Sequence, residues 1–325
     1  GAAGAGRGYI HFVAPKTEAW HWSEMLRPLV DDSIPAADAA LFWLACAERG
    51  EVFSPAASIE DDKRAIALYR RLNDRLGSYL GWCHLVYAFQ SIGQLDEARH
   101  ALDEALALRD PAWPPGLRVL IDNTAAIFFS QLGALDEARG HALDYLAVGR
   151  ELGSAVDEFT ALSILVDLDI AAGNVQEAAV VASEMLARPR ASLETYYDGL
   201  SLRSLATALM SADRLDEAEP VYREALSRVR RNYGTGASVL YDVAMLLARR
   251  KRIDDAARVW AYAEGVYAAE GKLPRLVARQ IRERLLALLA AERSPDTLSR
   301  LYDEGRRLTD DEACALAFPP SAPGA

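Results

Sequence analysis

Apolar residues recur along this chain in helical stripes, and the same stripe returns at a fixed distance. In QLDEARHALDEALALRDP, Ala98, Leu102, Ala105 and Leu106 fall at i, i+4, i+7 and i+8, one face of an α-helix. The preceding WCHLVYAFQSIG reads as a partner helix closed by Gly93, because glycine enters the left-handed C-terminal conformation without a Cβ clash. Asp96 and Glu97 open the second helix, where carboxylates meet the positive end of the helix dipole. Pro111 stops the unit, and DPAWPPG stiffens the connection to the next one.

That two-helix pattern is copied. Ala98, Ala138, Ala178 and Ala218 stand 40 residues apart and Ala256 follows 38 later, inside GQLDEA, GALDEA, GNVQEA, DRLDEA and KRIDDA. A weaker copy, EDDKRAIALYRRL, is anchored at Ala65. A period of roughly 20–50 residues marks an array in which each unit buries its apolar face only against its neighbours. The pattern therefore predicts an all-α solenoid, a right-handed superhelix of helix-turn-helix repeats with a period of about 40 and some fourteen to sixteen helices. Gly133, at the turn of its repeat, should resist replacement by Val through backbone strain and crowding.

These features resemble the tetratricopeptide repeat (TPR) family. Its signature falls on Trp82, Leu85, Val86, Phe89, Ala98, Leu102, Ala105 and Pro111. Later units keep Ala126, Phe129 and Ala138, then Leu205, Ala206, Ala218, Tyr222 and Ala225. The period exceeds the roughly 34 residues usual in the family, so helices or turns are longer here. The resulting layout is a flexible linker at 1–16, N-terminal helices with a weak first repeat at 17–76, and five repeats at 77–270. Capping helices at 271–318 and a disordered tail at 319–325 complete it. Trp20, Trp22, Phe42 and Trp43, in the N-terminal helices, read as capping aromatics or as a docking patch for an upstream domain.

The C-terminal part carries a second resemblance. Ala256-Ala257-Arg258-Val259-Trp260-Ala261-Tyr262-Ala263-Glu264 is followed by a Pro-containing break, a helix of mixed charge, and a close with Glu304, Gly305, Thr309, Glu312, Ala313 and Ala317. This resembles the end of large bacterial ATP-dependent transcriptional regulators of the LuxR-like, maltose-activator-like and winged-helix types. Tyr262 departs from the small residue usual in that pattern. The resemblance implies upstream ATPase and DNA-binding domains in the same polypeptide, and a peptide, protein or small-molecule inducer as ligand. A stand-alone TPR adaptor is the alternative. Thr309 and Glu312 have the spacing of a capping box that starts a last helix.

Composition narrows the chemistry. The chain has 325 residues, 51% apolar and 26% charged, with no apolar run of about eighteen residues to cross a bilayer. The net charge of −11 disfavours direct nucleic-acid binding. Cys46, Cys83 and Cys314, with no C-x-x-C, suit a reducing cytoplasm. Four lysines beside 32 arginines and abundant alanine suit a GC-rich bacterial gene. GAAGAGRG is only loosely P-loop-like, since Arg7 and Gly8 stand where Lys and Ser/Thr would be needed, and it reads as linker. No zinc-protease or nucleophile-elbow motif occurs, and neighbouring Cys83 and His84 would point about 100° apart on a helix. The reading is a binding protein, not an enzyme, with no cofactor and with its oligomeric state open.

In TPR arrays the first helices line the groove. Counted back from the anchor alanines, the groove candidates are Tyr87 and Gln90, Asn123 and Ile127, Ser163 and Asp167, Arg203 and Thr207, and Tyr241 and Met245. This mixture of hydrogen-bonding groups suits a peptide or small polar ligand. The Lys/Asn pattern of chaperone-tail-binding TPR domains is absent, Cys83 and Tyr87 standing where it would begin.

Overall fold

A computed structural model describes residues 16–187 and 198–319. The expected linker, except for its last residue, and the expected tail, except for its first, lie outside the described residues. Everything regular within them is helical. The helices are α1 (Lys16–Leu26), α2 (Ala36–Phe53), α3 (Pro55–Arg71), α4 (Arg75–Ser91), α5 (Leu95–Leu108), α6 (Pro115–Arg118), α7 (Leu120–Leu132), α8 (Leu135–Glu151) and α9 (Ala155–Ala172). They continue with α10 (Val175–Ala187), α11 (Asp198–Ser211), α12 (Leu215–Tyr233), α13 (Ala237–Arg249), α14 (Ile253–Ala269), α15 (Leu276–Glu292), α16 (Pro295–Gly305) and α17 (Asp310–Ala317). The described residues divide into two compact units, unit 1 within residues 16–161 with 270–273, and unit 2 within residues 162–187, 198–269 and 274–319.

In unit 1 the helices pair as α2 with α3, α4 with α5, and α7 with α8, and α4 also packs on α7. Ala98 and Ala138 are fully buried, because only a methyl group fits where helices approach closely. The Pro-rich connection forms the single turn α6. The hydroxyl of buried Tyr79 donates to the carbonyl of Arg118 at 3.1 Å and accepts from the amide of Ile121 at 3.2 Å, which ties that link to the preceding repeat. The N-terminal aromatics divide in role. Trp43 is buried and flanked by the guanidinium groups of Arg27 and Arg64, while Trp22 is 53% exposed.

In unit 2, α11 pairs with α12 and α13 with α14, and Ala178, Ala218 and Ala256 are fully buried. The turns between paired helices share one device. Gly93, Gly133, Gly173, Asp213 and Lys251 all have positive φ, between 63° and 89°, at the spacing of the repeat. Where the earlier copies use glycine, the last two force a side chain into the left-handed region. At Gly133 a Cβ would meet nothing within 4 Å, so the crowding expected from the sequence is absent and only the backbone term remains.

The C-terminal motif is a lock between α14, α16 and α17. Gly305 is obligatory, since a Cβ there would collide with the carbonyl oxygen of Arg258. Arg258 Nε donates to Glu304 at 2.8 Å beside that contact. Thr309 and Glu312 form the capping box of α17. The first residue of α17, Asp310, accepts from the amide of Gly236 at 2.7 Å, Tyr262 Oη at 2.8 Å and Arg230 Nε at 2.6 Å. Burial works against the Asp310 charge, but these donors hold its carboxyl below the usual range. Tyr262, the departure from the pattern, is thus the residue whose hydroxyl reaches Asp310.

Two sets of variants test this account by chemical denaturation. Gly133→Ala should cost about 1 kcal/mol and Lys251→Gly should gain up to about 1 kcal/mol, because one enters and the other leaves a strained left-handed position. Gly305→Ala should cost more than Gly133→Ala, on the order of 2–4 kcal/mol, because α14 and α16 must separate. Equal losses at Gly133 and Gly305 would remove the close approach from the explanation.

Candidate functional site

The described part of unit 2 carries six of the sequence-derived candidates on α9, α11 and α13. Helical periodicity places Ser163 and Asp167 on one side of α9, Arg203 and Thr207 on α11, and Tyr241 and Met245 on α13. The structure brings them together but closes most of them off. Asp167 is half-buried, and the other five are buried.

What they form is a polar cluster inside a helical core. Ser163 and Ser201 approach at 3.3 Å between α9 and α11. Arg203 Nε stands 3.7 Å from Asp242 Oδ2, and its charge also acts on Asp167. The Thr207 hydroxyl lies 3.0 Å from Asp242 Oδ2, 2.9 Å from Tyr222 Oη and 2.8 Å from the Arg203 carbonyl. It has one proton to give, so Tyr222 completes the set by donating to it. Arg203 Nε and Asp242 Oδ1 are buried without a hydrogen bond among the described residues.

Burial dominates the electrostatics. It pushes the Asp242 carboxyl up to about 6, against the opposing pull of Arg203 and Thr207. It also raises Asp167, where Arg203 and Arg275 pull the other way. Desolvation opposes the Arg203 charge, but the two aspartates more than offset it and hold the guanidinium protonated. Two arginines therefore face two aspartates in low-dielectric surroundings. A second layer links Tyr241, whose hydroxyl donates to Glu264 at 2.8 Å, to Arg282, which pairs with Glu264 at 3.1 Å.

Asp242, Tyr222, Glu264, Arg275 and Arg282 were absent from the sequence-derived set. One signal was present for Asp242, a lone charge inside the apolar run SVLYDVAMLLA. Nothing local announces the contribution of α15.

Unit 1 carries the other four candidates, on α4 and α7. Tyr87, Asn123 and Ile127 are half-buried, while Gln90 is buried. Neither polar end of the Gln90 amide has a hydrogen-bond partner among the described residues, and neither does Asn123 Oδ1. Close by on these helices, Asp122 is satisfied by Arg109 at 2.7 Å and His141 at 2.9 Å. Cys83 is fully enclosed, and burial pushes its thiol up, away from the thiolate a nucleophile needs. His84 faces Asp62 at 3.4 Å rather than the thiol. Among the described residues, no group of three or more His, Cys, Asp or Glu side chains is placed to hold a metal ion.

Residues 200–236, which span α11, α12 and the turn to α13, match the family model for the tetratricopeptide repeat. The fold is a TPR-type helical repeat. No curated protein sequence matches the chain. The matched TPR unit includes Arg203, Thr207 and Tyr222 of the buried cluster, while Ser163, Asp167 and Asp242 lie outside it. The repeat unit supports a role as a protein-interaction scaffold. No helix among the described residues is long and apolar enough to cross a membrane.

Two measurements probe these polar groups. Thr207→Val removes the hydroxyl shared by Tyr222 and Asp242 and should cost on the order of 1–3 kcal/mol in thermal unfolding. The second concerns Asp62 in unit 1, whose carboxyl burial pushes from 3.8 up to about 7, with His84 opposing and Asp61 and Glu48 reinforcing the rise. Its folded value exceeds its unfolded one, so its contribution to stability is complete below pH ~4 and lost as pH rises through ~7. Asp62→Asn should therefore flatten the pH dependence, gaining on the order of 2 kcal/mol relative to wild type between pH 4 and 8. Parallel pH profiles for the two proteins would contradict the assignment.

Proposed function

We propose that this chain is the interaction and sensing arm of a cytoplasmic bacterial transcriptional regulator. In this reading it binds an inducer or partner on the faces of its first helices and controls an ATPase switch and a DNA-binding domain elsewhere in the polypeptide. The observation that carries the interaction part is the incomplete bonding on those faces. Gln90 and Asn123 in unit 1, and Arg203 and Asp242 in unit 2, retain donors or acceptors without a hydrogen bond among the described residues. A buried polar group left unbonded costs about 1–3 kcal/mol, so a ligand that completes the set gains what the free protein forgoes. Such binding controls a switch only by its differential affinity for the two switch states.

The regulator part is supported by the physical unity of the motif that carries the resemblance. Arg258, Tyr262, Glu304, Gly305, Thr309 and Glu312 all belong to the lock that closes the array. The TPR match taken alone equally favours a free-standing adaptor.

The gene decides between the two. Genomic sequence upstream of the Gly1 codon should run in an open frame back through a G-x-x-x-x-G-K-[ST] loop and a basic helix-turn-helix. A start codon within a few residues would end the regulator reading and leave the adaptor. For the binding face, Gln90→Ala with Asn123→Ala should lower inducer response at least tenfold with an unchanged unfolding midpoint. An intact response in that double variant would take the unit 1 face out of the function.

A further inference from the structure

α15 breaks the packing order of unit 2. The preceding hairpins pair each helix with the next, but here α16 packs chiefly on α14, and α15 packs on α13. Gln280 on α15 donates to the carbonyl of Ala171, next to the last residue of α9, at 3.3 Å. Arg275, which caps α15, is close enough to act on Asp167 of α9. α15 thus extends from the end of α9 to α13, along the face that carries Asp167 and Tyr241. We propose that α15 is a displaceable occupant of this face, which serves to bind an amphipathic, arginine-rich helix of a partner protein. The proposal rests on the interaction reading above and adds the place and the chemistry of the partner.

Four observations support it. First, α15 is built like a groove ligand. Val277, Ala278, Ile281, Leu285 and Leu289 form one buried stripe, and Glu283 and Arg284 face solvent. Anchors spaced in this way are how an amphipathic helix enters an apolar groove. Second, the charges complement each other. α15 brings Arg279 and Arg282, with Arg275 at its start, and the face beneath offers Glu264, which pairs with Arg282, and Asp167, on which Arg275 acts.

Third, the seat is imperfect. Arg203 Nε and Asp242 Oδ1 on the face, and Arg282 Nε on α15, are buried without hydrogen bonds among the described residues. An occupant that leaves donors and acceptors unused can be outcompeted by one that uses them. Fourth, α15 has discrete ends. Gly271 in the left-handed region and Pro274 precede it, and Ser294-Pro295 interrupts the chain before α16. Beyond α13 it makes only slight contact with α14 and α16 among the described residues, and its release exposes the stripe and the face together.

The test uses the full chain and a labelled synthetic peptide of residues 274–293. Hydrogen exchange on the wild-type chain should show α15 amides exchanging at least tenfold faster than those of α13, the mark of opening below the global limit. The variant Ile281→Ala with Leu285→Ala, which loosens the native occupant, should bind the peptide at least tenfold more tightly than wild type by fluorescence anisotropy. A peptide with Arg279→Glu and Arg282→Glu should bind that variant at least tenfold more weakly than the unmodified peptide.

If α15 amides exchange as slowly as those of α13, α15 is core and the proposal fails, whether or not the loosened variant folds. If α15 opens but the loosened chain binds the peptide no better than wild type, the face is not a helix site and the proposal fails there too. Equal binding of both peptides would remove the arginine-rich partner. The interaction reading survives all three results, because it is decided by the Gln90 and Asn123 variants in unit 1.

Discussion

Close approach between helices governs this protein. Each hairpin carries an apolar stripe that it cannot bury alone, and the stripe becomes a core only when the next hairpin lies against it. The five anchor alanines stand at these contacts with no exposed surface. A larger side chain at any of them would push neighbouring helices apart and forfeit dispersion contacts along the whole seam. Gly305 is the extreme case, where even a methyl group would collide with the backbone of α14. The turns obey the same constraint. A left-handed residue recurs at the repeat spacing because the chain must reverse within two or three residues to keep the paired helices in contact.

Once the helices are this close, polar side chains on their inner sides lose water. That is the origin of the cluster around Arg203. Ser163, Thr207, Tyr222 and Asp242 come from four different helices, and none would perturb its own helix if it stood alone. Packed together, they form a low-dielectric network in which Asp242 keeps its proton to higher pH and Arg203 is held between two carboxylates. The network is costly to leave incomplete, yet among the described residues it is incomplete. The same condition recurs separately in unit 1 at Gln90 and Asn123. The packing that excludes water thus also leaves buried polar groups with spare bonding capacity.

The repeat architecture was legible because it is written locally and repeatedly. Period 3.6 within a helix and period 40 along the chain are both visible in single letters, and so are the glycine at Gly133 and the capping pair Thr309 and Glu312. Asp213 and Lys251 were less legible, because a left-handed residue without glycine carries no mark in the sequence; only alignment with Gly93, Gly133 and Gly173 exposes it. The functional candidates were found as positions but not as environments. Counting back from the anchor alanines located Arg203 and Thr207, yet it could not say that they would be buried.

The sequence by itself determined the helical repeat, its turns and its C-terminal close, since each depends on residues within a few positions of one another. Tertiary structure alone decided that Arg203 meets Asp242 from the next first helix, and that Tyr262 reaches forward to Asp310. It alone placed α15 against α13 and the end of α9. Those contacts join residues about 40 to more than 100 positions apart. Their strength comes from desolvation, which no stretch of chain possesses until its neighbours have closed around it.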